Sequence, residues 1–182
     1  MSDKLKLVYI DTCPLIDLAQ EKAGMAINDI QKQCVWFCSQ ALKASRARKL
    51  KIVTSFLTVA ECTSIKDNLP QPPEEIKRFY DMLLLSGKGG IELVAITHSI
   101  AVRARNLRWI DGLSLKGADT IHVSSGLQMR CDELWTRDGK IWTNREKITQ
   151  LGLKVVRPFE TDVLPNEYRQ VDIFSDDGAH GA

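Results

Sequence analysis

Long apolar runs are missing from this 182-residue chain, and only three histidines occur in it. No stretch is apolar for long enough to span a membrane. Met1-Ser-Asp-Lys4 opens the chain without the apolar segment of a secretory signal. The expectation is a cytoplasmic protein with no membrane partner. Cysteine is present but poorly arranged for a framework. Cys13, Cys34, Cys38, Cys62 and Cys131 are an odd number, and no two form a close CxxC pair. Free thiols in a reducing compartment are expected, not a disulfide scaffold or a zinc site. Cys34 and Cys38 sit one helical turn apart on an apolar stripe with no further Cys or His to complete a metal set, so they read as buried thiols. Gly87, Gly89 and Gly90 are too loosely set for a phosphate-binding fingerprint, and no helix with Lys-Ser/Thr follows them. Internal repeats are absent as well.

What is there suits one domain with ample core, at 44% hydrophobic content. The formal net charge of +2 conceals two opposed regions. Residues 1–158 hold 24 Lys/Arg against 17 Asp/Glu, a net +7, whereas residues 159–182 hold Arg169 against six acids, a net −5. The reading is a domain over 1–158 followed by an acidic, disordered tail over 159–182. A basic body suits a polyanionic partner.

The hydrophobic pattern alternates between short strands and helices. Leu7-Val-Tyr-Ile10 is continuously apolar and β-rich, the pattern of a strand covered on both faces in the middle of a parallel sheet. Strands are also expected at 51–55, 91–97, 133–138 and 153–157. Helices are expected at 14–22, from about 27 to 48, at 56–65, 74–85, 98–109 and 116–129, and over a last turn or two at 147–151. The small-residue content of 116–129 suits close packing on a sheet. The fold class that follows is α/β, with a central parallel sheet of about five strands between helical layers.

Four acids stand out in this pattern. Asp11 and Asp138 follow apolar strands and should emerge at the same carboxyl-terminal edge, where open α/β sheets bind ligands. Glu61 lies on the helix leaving the second strand, and Asp119 opens the helix before the Asp138 strand. Asp11 also suits the N-cap of the following helix, with Pro14 in its first turn. Four converging carboxylates without matched cations repel strongly unless a divalent ion lies between them. Oxygen ligands and few histidines point to magnesium or manganese, and one or two such ions are suited to phosphodiester hydrolysis. His122, one turn from Asp119, reads as a packed or hydrogen-bonded histidine and not as a general base. Lys43, Arg46, Arg48 and Lys49 at one helix end, Arg103 and Arg105 on another helix, and Lys116 and Arg137 beside two of the acids are candidate nucleic-acid contacts, each in competition with ordinary surface solvation.

Tyr9-Ile-Asp-Thr12, Thr58-Val-Ala-Glu61, Gly117-Ala-Asp-Thr-Ile-His122 and Leu134-Trp-Thr-Arg-Asp138 resemble the successive motifs of PIN-domain ribonucleases, in order and approximate spacing. The resemblance runs from about residue 5 to residue 158, and the nearest group is the VapC-like toxins of type II toxin–antitoxin pairs. It implies a three-layer α/β/α PIN-like domain and a magnesium- or manganese-dependent endoribonuclease, with RNA as substrate. It further implies an antitoxin as a possible partner and a possible homodimer. Asp11, Glu61, Asp119 and Asp138 would be the catalytic and metal-coordinating quartet. Thr12 and Thr136 would be supporting hydroxyls that position a metal-bound water or a carboxylate. Two departures qualify the match. Gly139-Lys140 stands where family members often carry a further acid, and the long second helix and acidic tail exceed a minimal toxin. A PIN-like module that binds RNA or protein without cutting is the alternative. A haloacid-dehalogenase-like phosphatase is disfavoured, because Cys13 stands where its second Asp would be.

Overall fold

The computed structural model describes residues 4–63 and 71–170. Five strands, β1 (Leu7–Ile10), β2 (Lys51–Ser55), β3 (Ile91–Val94), β4 (Glu133–Trp135) and β5 (Lys154–Val156), form one sheet in the order β3-β2-β1-β4-β5. Every pairing is parallel, with Val8 beside Ile52 and Glu133 and with Ile10 beside Trp135. The fold is therefore α/β as the pattern predicts, with β1 in the middle.

The unbroken apolar run of β1 has a direct structural cause. Val8 and Ile10 face a core shared with Leu15, Val35, Cys38, Ile52, Tyr80 and Trp135, while Tyr9 faces a second core with Val53, Ile100, Val123, Leu134 and Ile148. Both faces of the strand are covered, so neither can be polar. The first core is closed by α1 (Thr12–Lys22), α2 (Asp29–Arg46) and α4 (Glu74–Tyr80), the last continued by a π-helical turn at Asp81–Leu85. The second is closed by α5 (His98–Trp109), α6 (Gly117–Gln128), α7 (Gly139–Thr143) and α8 (Arg145–Gln150). Helix α3 (Phe56–Glu61) leaves the end of β2 directly. The small residues of α6 serve the expected close approach. A Cβ at Gly126 would lie 2.9 Å from Leu153 Cδ2 and 3.4 Å from Tyr9 Cβ.

Two expectations need correction or qualification. The strand expected at 133–138 ends at Trp135, and Asp138 caps a short helix beyond it by accepting from the amides of Lys140 and Ile141. The segment 159–170, placed by composition in a disordered tail, is packed. Leu164 is 1% exposed, Thr161 Oγ1 donates to the buried Glu133 carboxylate at 2.5 Å, and Lys154 pairs with both Glu133 and Asp162. Residues 171–182 of that proposed tail lie outside the described residues, as do 64–70, which include the end of the helix expected at 56–65.

Candidate active site

The sheet order reverses direction at β1, since β2 and β3 lie to one side and β4 and β5 to the other. Crevices at such switch points, outside the carboxyl ends of the strands, are where open α/β sheets hold ligands. Asp11 follows β1 at that point, and its amide donates to the Trp135 carbonyl of β4 at 3.0 Å. A cavity of about 310 Å³ opens there, lined by Asp11, Thr12, Cys13, Ile16, Glu61, Asp119, His122 and Asp138. All four acids singled out from the sequence thus meet in one cavity, although they come from four separate elements.

Each acid is held differently. Asp11, 4% exposed, caps α1 by accepting from the Thr12 amide through Oδ1 at 2.7 Å. Its Oδ2 accepts from the Thr136 hydroxyl at 2.7 Å, and that hydroxyl in turn accepts from the Asp138 amide at 2.9 Å. One buried threonine therefore connects two acids across β1 and β4. Glu61 Oε2 accepts from Thr12 Oγ1 at 2.5 Å and pairs with His122 Nε2 at 2.8 Å. Asp119 lies in the first turn of α6, with its Oδ2 accepting from the Lys116 amide at 3.2 Å.

The electrostatics record the crowding. Burial raises the Asp119 carboxyl above its ordinary range, and the charges of Asp138 and Asp11 push the same way against the Lys116 amide. Cys13 is raised by burial first and then by Asp11 and Asp138, so its thiol stays protonated. Burial alone would raise Glu61 too, yet its hydrogen bonds from His122 and Thr12 leave it lowered. For His122, burial acts downward, but the Glu61 hydrogen bond, the Asp11 charge and Tyr9 lift it to about 10. The imidazole is 2% exposed and its Nδ1 lies 2.8 Å from Tyr9 Oη, which also accepts from the Ser55 amide at 3.0 Å. As an imidazolium it places one positive charge against four carboxylates. Its Nε2 lies 2.8 Å from Glu61 and 3.6 Å from Asp11. The sequence places His122 on the Asp119 face of α6, and that i, i+3 spacing is the signal for its presence in the cavity.

Among the described residues no group of three or more His, Cys, Asp and Glu side chains is gathered tightly enough to hold a metal ion as it stands. The donor set nonetheless suits a hard cation. Glu61 Oε1, Asp119 Oδ1 and Asp138 Oδ2 accept no hydrogen bond among the described residues, and all three residues line the cavity.

The basic residues fall out less simply. Arg137 is bound in a two-pronged pair with Asp17, a fully buried acid of α1 that sequence reasoning passed over, and Gln31 donates to the same carboxylate at 2.8 Å. That pairing engages Nε and Nη2 of this candidate phosphate contact. The buried pair fixes the segment between Thr136 and Asp138. Its only signal in the sequence is an acid set among Leu15, Leu18 and Ala19. Arg103 pairs with Asp111 at 3.1 Å, and the Arg105 guanidinium stacks 4.7 Å from the Trp109 ring centre. Lys43, Arg46, Arg48 and Lys49 are exposed near the start of β2, at the sheet edge opposite the acids. Lys116 is exposed beside Asp119.

Strand order, all-parallel pairing and the placement of helices on both faces define a three-layer α/β/α domain. No family model and no curated protein matches the sequence. Two solved structures do match the fold: FitAcB from Neisseria gonorrhoeae, and FitAB bound to an IR36 DNA fragment. Each is 16% identical, with a TM-score of 0.52 over 85% of this chain and 99% and 97% of theirs, respectively. At that identity the likeness is one of fold.

Proposed function

We propose that this protein is a magnesium- or manganese-dependent endoribonuclease that hydrolyses RNA phosphodiester bonds. The observation that carries the reading is the meeting of Asp11, Glu61, Asp119 and Asp138 in one cavity at the switch point of the sheet. One or two bound ions would supply charge neutralisation, polarisation of the phosphoryl oxygen and a water of lowered pKa. Asp119 and Asp138 would hold the ion through the oxygens left free by the backbone, with Glu61 and Asp11 completing the set. Thr136 fixes Asp11 and the Asp138 segment in mutual register, and Thr12 holds Glu61. His122 keeps Glu61 oriented and offsets part of the negative charge before an ion arrives.

The motif resemblance supports a VapC-like toxin role, with an antitoxin chain and a second copy as candidate partners. The structural neighbour FitAB was solved on a DNA fragment, which accords with a nucleic-acid setting. Among the described residues no helix is long and apolar enough to cross a membrane, which accords with a cytoplasmic site of action. A second reading, a PIN-like module that binds without cutting, is favoured by one observation: the acids line the cavity without closing into a ready ligand set. Cleavage of a mixed RNA substrate decides between them. The nuclease reading expects cutting with manganese, loss of cutting in EDTA, and loss in Asp11→Asn and Asp119→Asn. Equal cutting by wild type and both variants removes the assignment.

A further inference from the structure

A second concavity, of about 400 Å³, adjoins the acidic one and carries the opposite sign. It is lined by Arg108 at the end of α5, Ser114 and Lys116 before α6, and Lys140, Thr143 and Asn144 of and after α7. The two cavities share no lining residue but are joined through Lys116 and Lys140. The Lys116 amide orients Asp119 and the Lys140 amide orients Asp138, at 3.2 and 2.7 Å, while the side chains of the same two lysines line the basic side. Its floor is built and not merely surface. Asn144, 8% exposed, accepts from the Ser114 amide at 3.2 Å and donates to the Lys140 carbonyl at 2.8 Å, which ties the α5–α6 connection to α7.

Arg108, Lys116 and Lys140 form no ion pair among the described residues, and the acid nearest Arg108 in sequence, Asp111, is taken by Arg103. Three uncompensated cations around one concavity favour an anion there. Two of them issue from the residues that position the acids, so the anion would lie one step from the reacting phosphate. We infer that this concavity binds the backbone phosphate next to the scissile one, on the same substrate strand. The inference rests on the nuclease reading and names where its substrate runs. Contacts from Arg108, Lys116 and Lys140 to phosphate carry no base information, so recognition through them is independent of sequence.

The test is fluorescence anisotropy of a labelled single-stranded RNA in EDTA, over a range of salt. Arg108→Gln/Lys116→Gln/Lys140→Gln is compared with wild type and with a charge-matched control, Lys22→Gln/Lys32→Gln/Lys77→Gln, whose exposed ion pairs contribute little to stability. The slope of log K against log salt should become shallower by about 0.7 for each phosphate no longer neutralised, with the control following wild type. The triple variant should lose about one such step and Lys140→Gln alone only a part of it, and thermal melts of all variants establish that they fold. An unchanged slope in the triple variant overturns the subsite. A marked preference for a 5′-phosphorylated over a 5′-hydroxyl strand, lost in the triple variant, assigns the site to a terminal phosphate and overturns the internal one. Wild-type cleavage with manganese is scored separately on the same RNA. Cutting with an unchanged triple-variant slope removes the subsite and leaves the nuclease. Binding through these cations without cutting leaves a phosphate site and removes the nuclease.

Discussion

Replacing Thr136 by valine keeps its shape and deletes one hydroxyl, the one that joins two acids. That hydroxyl is fully buried, donates to Asp11 at 2.7 Å and accepts from the Asp138 amide at 2.9 Å. A hydrogen bond to a charged group contributes about 1.5–3 kcal/mol and an ordinary one about 0.5–1.5 kcal/mol. Asp11 is too buried to replace its lost donor freely with water, whereas the Asp138 amide is only partly buried. Thr136→Val should therefore cost about 2–4 kcal/mol of stability in metal-free urea unfolding, with the m-value unchanged. Thr136→Ser is the control, because it retains the hydroxyl and should cost about 0.8 kcal/mol for the methyl group. In an Asp11→Asn background the valine should cost less, since the acceptor it orphans no longer carries charge. If valine and serine prove equally stable to within about 0.5 kcal/mol, the hydroxyl does not hold the two acids as described.

Asp119→Asn should raise the metal-free urea midpoint at neutral pH, because burial and the charges of Asp138 and Asp11 disfavour the ionised form; a lowered midpoint contradicts the crowding. His122, raised to about 10 in the fold, binds a proton that the unfolded chain releases near 6.5. Its contribution is fully present below about pH 6.5 and is lost as pH rises toward 10, so metal-free stability should decline from pH 6.5 to 8 by up to about 1.4 kcal/mol per unit. His122→Gln should flatten that decline in urea titrations at each pH, and an unaltered slope sinks the assignment. Asp17→Asn leaves the Arg137 guanidinium without its counter-charge. Arg137 retains some solvent access, so a loss of about 3 kcal/mol, at the low end for a broken buried pair, is expected by chemical denaturation. A loss below about 1 kcal/mol would show that the pair does not fix the Thr136–Asp138 segment.

Much of this could be read from the chain because local pattern and tertiary role agree. Leu7–Ile10 is apolar without alternation, and the fold covers both of its faces. The four acids were legible from a different kind of regularity, since each stands just past a strand or in the first turns of a helix beside the sheet. What escaped involves contacts between residues far apart in sequence. Asp17 looks like a polar interruption of an apolar stripe until Arg137 arrives from 120 positions away. The polar stretch after Pro158 looks like a tail, yet Glu133, inside a strand, accepts from Thr161 Oγ1 and the Asp162 amide and so docks it. His122 was visible on the right helical face, but its coupling to Glu61 depends on α3 and α6 meeting above β1. The helix after Asp138 was hidden by Gly139, because the cap decided the conformation where propensity alone suggests a turn.

The central claim is that the four acids form one divalent-cation site, and manganese binding measured by calorimetry tests it most directly. Wild type should show saturable binding. At a manganese concentration 100-fold above the dissociation constant its unfolding free energy should rise by about 2.7 kcal/mol. Asp11→Asn and Asp119→Asn, both folded, should lose the binding and the stabilisation together. Saturable binding that survives undiminished in both variants, or its absence in the wild type, would contradict the account.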